Sequence, residues 1–195
     1  MNPRVREILS EIKEREEELE ELIQSYEEEL FYKIEDGKVK FDKLIEQTHY
    51  QLKVDVLTWL RNSSFNNIVS SPIIYGMFFP FLLLDILISL YQLICFRLYK
   101  IPVVKRSKYI VIDRHHLKYL NAMEKFNCIY CGYVNGLISY MREIVSRTEQ
   151  YWCPIKHAKK ILDPHRRYVM FASYGDSEDY HQFLKKMRSE LSNKH

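Results

Sequence analysis

The feature that most constrains this chain is the stretch "IIYGMFFPFLLLDILISLYQLICF", Ile73 to Phe96, 24 residues carrying a single charge at Asp85. About 20 apolar helical residues cross the hydrocarbon of a bilayer, so the run is long enough to span one. Trp59, Tyr75, Tyr91 and Tyr99 stand near its edges, where amphipathic rings favour the headgroup region. Arg97, Lys100, Lys105, Arg106 and Lys108 follow at once, the basic flank expected on the cytoplasmic side. The run lies too far from Met1 for a cleaved signal peptide. The competing reading is a long buried helix in a soluble bundle.

Two residues inside the run shape the expectation. Pro80 removes a backbone donor and should kink or break the helix. Asp85 costs about 2.5–3.5 kcal/mol on insertion scales if it faces lipid, so it should face protein, a partner subunit or water. A re-entrant hairpin turning near Pro80 would leave both flanks in the cytosol. A kinked single pass would export the acidic N-terminal segment instead. The residues leave both open, with a broken or re-entrant helix favoured over a straight pass.

Charge divides the chain about this run. Residues 1–60 carry 9 Lys+Arg against 16 Asp+Glu, and residues 97–195 carry 19 against 9, so two segments with different surroundings are expected. With only 5 glycines in 195 residues, a sandwich or doubly wound sheet is disfavoured and a mainly α fold is predicted. The expected divisions are an acidic segment over 1–62, a membrane-embedded segment over 63–100 and a basic cytosolic helical domain over 101–195.

In the acidic segment, Val5, Ile8, Ile12, Leu19, Leu22 and Tyr26 recur at spacings of three, four and seven, an a/d seam interrupted by Arg15. "EDGK", residues 35–38, supplies a helix-ending glycine. Phe41, Leu44, Ile45, Thr48, Leu52, Val56 and Trp59 then share a second helical face. An antiparallel helical hairpin, or a coiled coil between subunits, is the expected product. Glu46-x-x-His49 has the spacing of di-iron bundle ligands but has no second copy, so a metal role there is disfavoured.

The basic segment holds the chemistry-bearing residues. Asp113 reads as an N-cap, with Leu117, Leu120, Met123 and Phe126 on one helix face. "CIYCG" then reads as a turn, followed by a helix with Leu137, Met141, Ile144, Val145, Thr148 and Trp152 at helical spacing. "CPIKHAKKIL" reads as a further helix start with Pro154 at its first position, putting Cys153 and His157 four apart on one face. A tight turn at Cys128-x-x-Cys131 and a helix of about four turns packed back would bring Cys128, Cys131, Cys153 and His157 to one point. Three thiolates and an imidazole satisfy tetrahedral zinc, which in small domains supplies on the order of 10 kcal/mol of folding energy.

The same four residues have the ligand count for an iron–sulfur cluster with one imidazole. A redox Cys128/Cys131 dithiol and plain buried thiols also remain open, while structural disulfides are disfavoured on a cytosolic side. Cys95 reads as buried, with palmitoylation the weaker alternative. Adjacent His115 and His116 cannot share a helix face. His165, with Arg166 and Arg167, reads as surface charge rather than a phosphate site, and Glu149 is the acid/base residue to watch if an enzyme is present. Residues 176–191 form a closing helix with Tyr180, Phe183, Leu184, Met187 and Leu191 on its apolar face.

The segment "YIVIDRHHL … CIYC … REI … RTEQYWCPIKHA … LDPH" resembles a family of uncharacterised bacterial membrane-associated proteins. The resemblance covers about residues 109–175, with Cys-Pro-x-x-His its distinctive ending, and implies a folded domain without bringing any activity or catalytic residue. The sequence therefore predicts a membrane-anchored adaptor or assembly component in the bacterial inner membrane, its C-terminal domain cytoplasmic and its Cys3His zinc structural. Expected partners are the bilayer, anionic headgroups, and a second copy or a membrane protein. The alternative is a membrane redox protein carrying an iron–sulfur cluster or a reactive dithiol. Four protein ligands close a zinc shell and leave no position for a substrate water, so the reading leans away from an enzyme. Dispersed basic residues argue against nucleic acid, and no glycine-rich phosphate loop or nucleophile elbow occurs.

Overall fold

The computed structural model of the chain describes residues 3–30, 32–35, 38–41 and 43–192, and it is mainly helical. The chain forms two compact units, Met1–Phe65 with Ile112–Ile129, and Asn66–Val111 with Tyr130–His195.

The first unit begins with α1, Pro3–Leu30, 28 residues that begin with proline in the first turn, where its missing N–H costs nothing. The periodic residues Ile8, Ile12, Leu19, Leu22 and Tyr26 are all exposed, so nothing among the described residues covers the seam. Between α1 and the next helix lies a two-stranded antiparallel hairpin rather than a plain loop: β1, Lys33–Glu35, pairs with β2, Lys38–Lys40, through Lys33–Lys40, Ile34–Val39 and Glu35–Lys38. Asp36 and Gly37, expected to end a helix, lie outside the described residues. The second periodic run does not form one helix. It divides into α2, Lys43–Gln51, and α3, Val56–Asn62, because the Asp55 carboxylate accepts from the Leu57 N–H and starts a new helix there.

The second unit is built on the apolar run. It forms α4, Phe65–Gly76, then α5, Phe78–Tyr91, continued by a π-helical turn at Gln92–Phe96. Together they are one rod of 32 residues, Phe65–Phe96. The only interruption is at Met77, three residues before Pro80. Pro80 has no N–H for the carbonyl of Gly76 and its ring crowds that carbonyl, so the helix yields there and then resumes. The rod kinks and does not reverse. It ends at Lys100, which takes the left-handed conformation (φ 55°) while the Ile101 N–H donates to the Phe96 carbonyl.

From Ile101 the chain returns along the rod to Val111, through a 3-10 turn at Arg106–Lys108, then passes a second 3-10 turn at Arg114–His116. α6 follows, Ala122–Trp152, a single helix of 31 residues. Two expectations are corrected here. Asp113 is not the cap of this helix; Asn121 is. Its side-chain oxygen accepts from the N–H groups of Met123 and Glu124, while the Glu124 carboxylate accepts from the Asn121 N–H, a reciprocal capping box. Nor does "CIYCG" turn the chain: Cys128, Cys131, Gly132 and Gly136 are all interior helix residues.

A glycine within this helix, Gly136, serves a packing purpose. A Cβ on Gly136 would stand 2.6 Å from the Tyr109 carbonyl oxygen and 2.8 Å from the Ile110 Cα, so only glycine lets the returning segment lie this close to α6. Around that contact Tyr133, Leu137, Tyr140 and Ile144, at spacings of four, three and four, close a core with Phe96, Ile101 and Val104. Each such apolar side chain removed from water stabilises the fold by roughly 1.5–3 kcal/mol. After α6, residues 153–165 are not helical. Ile155 instead bridges to Ala172, and α7, Tyr180–Ser192, closes the unit with Met187 and Leu191 buried.

Candidate functional site at the apolar helix

In a soluble amphipathic helix the apolar side chains face the core and the polar ones face water. The rod Phe65–Phe96 inverts this arrangement. It is long and apolar enough to cross a membrane, yet only 6% of its most apolar 18-residue window is buried. Phe79, Leu83, Ile86 and Leu90 form an exposed stripe at spacings of four, three and four. The residues of the rod that are buried are Asp85, Gln92 and, at its end, Phe96.

Asp85 is 8% exposed. One carboxylate oxygen meets Arg106 Nη2 at 2.7 Å and accepts from the Tyr133 hydroxyl at 3.0 Å. The other accepts from Arg106 Nε at 3.3 Å and Ser89 Oγ at 3.4 Å. Two turns along the same face, the Gln92 side chain donates to the Tyr140 hydroxyl at 2.6 Å and the Val104 carbonyl at 3.3 Å, and accepts from the Val104 N–H at 2.7 Å. Tyr91 and Thr148 share a further hydroxyl contact at 2.8 Å. These bonds fix the register of three strands of chain, the rod, the return segment and α6. Along the contacts, residue numbers rise together on the rod and α6, so the two helices run in the same sense and Ile101–Val111 must travel back between them.

Asp85 thus faces protein, as expected. Its partner was not legible: Arg106 reads as one of five basic flank residues, but it is spent on Asp85. The remaining flank, Arg97, Lys100, Lys105 and Lys108, is exposed. The signal available in the sequence is the spacing of Asp85, Ser89 and Gln92, four and then three apart, which places three polar groups on one face of an otherwise apolar helix.

A second polar cluster anchors the C-terminal end of α6. Glu143 accepts from Arg147 Nε and Arg167 Nη2, both at 2.7 Å. Arg167 also donates to the Gln150 side-chain oxygen at 2.9 Å, and Gln150 donates onward to the Met187 carbonyl at 3.1 Å. Burial alone would raise Glu143, but the hydrogen bonds from Arg167 and Arg147 outweigh it and hold the carboxyl below the usual range. Arg167, read from sequence as surface charge, is therefore structural. His165 Nε2 contacts Glu149 at 2.8 Å, and the ring packs against Phe171, so both are accounted for by α6 and the 3-10 turn Arg166–Met170.

The four expected metal ligands are not brought together. Cys128 and Cys131 lie one turn apart in α6. Cys131 and Cys153 are separated by the rest of that helix, about 30 Å at 1.5 Å per residue. Cys153 and His157 do not share a helix face, because α6 ends at Trp152 and the chain beyond it is not helical; both are exposed, and the His157 ring stacks on Tyr168. All four cysteines, Cys95 included, are free. Among the described residues, no group of three or more His, Cys, Asp or Glu could hold a metal ion. Glu46, His49, His115 and His116 likewise gather no metal-binding group.

No protein-family model, curated protein or solved structure matches this chain.

Proposed function

We propose that the protein is a membrane-anchored adaptor or assembly component, held in the bilayer by Phe65–Phe96 and presenting α1 for association with a second copy or a membrane partner. The observation that carries this reading is the inverted helix: a rod whose carboxylate and amide turn inward, hydrogen-bonded, while Phe79, Leu83, Ile86 and Leu90 stay uncovered. In water that stripe is an unmet hydrophobic demand; in lipid it is at rest, and the pairing of Asp85 with Arg106 meets the requirement that a charge at membrane depth have a partner. The neighbouring part of α6 suits the same environment, since it is uncharged from Phe126 to Met141.

Exposed Arg97 and Lys100 at the end of the rod support a cytoplasmic side for that end, by the positive-inside bias. In this reading the zinc site is given up as an intrachain feature, and the electron-transfer alternative loses its cluster geometry with it. The four-and-three spacing of exposed Ile8, Ile12, Leu19, Leu22 and Tyr26 suits a second copy of α1 across a coiled-coil seam.

The test is extraction of cell membranes with alkaline carbonate. The wild-type chain should stay in the pellet, and a variant with Phe79, Leu83, Ile86 and Leu90 all changed to Gln should move to the supernatant. Release of the wild type by carbonate would overturn the anchor.

A further inference from the structure

The first unit holds a pocket that the membrane reading does not use. It has a volume of about 580 Å3 and is lined by Lys118, Lys125, His115, His116, Phe41 and Glu46, with Lys40 adding a third ammonium. A volume of this size falls in the range that small-molecule sites occupy, about 300–1,000 Å3. Lys118 and Lys125 are half-buried, and neither has an ion-pair partner among the described residues. The Nδ1 of His115 is buried with no hydrogen-bond partner, and the His115 and His116 rings lie against each other with centroids 4.0 Å apart. Among the described lining residues Glu46 is the one carboxylate.

Aromatic packing helps to hold the walls. His49 sits edge-on between Phe41 at 5.2 Å and Tyr119 at 4.9 Å, which ties α2 to the segment before α6. Half-buried lysines without counter-charges lose solvation and gain nothing in return, so an anion entering between them restores what burial removed. A phosphomonoester carries close to two negative charges at neutral pH and three strong acceptor oxygens, which suits two ammonium groups and an imidazole. The pocket is far larger than a phosphate group, and Phe41 offers an apolar wall for an organic portion.

We propose that this pocket binds an organic phosphomonoester, with Lys118, Lys125 and His115 holding the phosphoryl group. Two sources carry that group, a soluble organic phosphate and the headgroup of phosphatidic acid.

The experiment is calorimetric titration of the full chain in detergent micelles with phenyl phosphate, with and without phosphatidic acid in the micelle. The expected result is saturable binding of one phenyl phosphate per chain. Lys118→Glu with Lys125→Glu should weaken it by about tenfold or more, as two reversed charges near the site require. Lys118→Arg with Lys125→Arg should restore binding, which separates charge from folding, and Lys159→Glu with Lys160→Glu in the other unit should leave it unchanged. Competition by phosphatidic acid would assign the lipid source, and unchanged binding in its presence the soluble one; either supports the site. Absence of saturable phenyl phosphate binding, or equal loss in the Lys159/Lys160 variant, would overturn it.

Discussion

α1 and α6 are nearly the same length, 28 and 31 residues, and both carry apolar side chains at three- and four-residue spacing, yet they meet opposite fates. In α6 the periodic positions Tyr133, Leu137, Tyr140 and Ile144 are buried against the returning chain; in α1 Ile8, Ile12, Leu19, Leu22 and Tyr26 are 45–63% exposed. The difference is not in the pattern but in what the chain supplies to cover it. α6 has glycine at the crossing point and tyrosines whose hydroxyls find buried partners. α1 is rich in glutamates, and the described residues leave its apolar seam exposed. A helical stripe therefore specifies a face, and only the rest of the chain, or another chain, decides what fills it.

The largest expected effect separates the two helices directly. Leu137→Ala should destabilise the second unit by about 2–5 kcal/mol, the usual cost of a buried leucine truncated in a core that cannot collapse. Leu19→Ala should cost below about 0.5 kcal/mol in the isolated chain, because the side chain is already in solvent. Urea denaturation of the detergent-solubilised protein, followed by near-ultraviolet circular dichroism, measures both. Sedimentation then sharpens the comparison: if a second copy covers α1, Leu19→Ala with Leu22→Ala weakens self-association and leaves the urea midpoint of the other unit unmoved. Equal destabilisation at Leu137 and Leu19 would break the contrast.

A smaller effect is expected at Gly136→Ala. The added methyl meets backbone atoms at 2.6 and 2.8 Å, which cannot swing aside as a side chain would, so the return segment must shift. Overpacking of this kind costs about 1–3 kcal/mol. The same denaturation curve reports it, and a neutral result would show that Tyr109–Ile110 can leave α6 freely.

These contacts also explain what the sequence made legible and what it did not. Helix content, the apolar rod, its kink from Pro80 and the inward aim of Asp85 follow from local chemistry, because each depends on one residue's own donors, ring or charge. "CIYCG", ending in Gly132, was misread as a turn since glycine in isolation favours one, and the close crossing at Gly136 depends on Tyr109, over twenty residues away. Reading one long helix as two separated by a turn then placed Cys128, Cys131, Cys153 and His157 at a common point. The two pairs are instead separated by the continuous helix α6. Arg106 and Arg167 were read as surface charge for a related reason: their partners, Asp85 and Glu143, lie 21 and 24 positions away, beyond the reach of any local pattern.

The last comparison lies between the two acidic anchors of the second unit, and pH separates them. Glu143 holds Arg147 and Arg167 on α6 outside the apolar rod, with all three side chains at most 22% exposed. Its carboxyl titrates below its ordinary value of 4.5, so the folded state binds the proton less readily than the unfolded chain. The stability this confers is fully present above 4.5 and is lost as pH falls through the lower folded value. Glu143→Gln removes the charge while keeping the shape and one acceptor, so it should cost about 1–2 kcal/mol at neutral pH, in the range of hydrogen bonds to charged groups. On acidification the wild type should fall toward the variant until the two denaturation midpoints coincide. A constant gap between them down to acid pH would mean that Glu143 acts through packing alone, and that the clamp on α7 through Arg167 and Gln150 does not depend on charge.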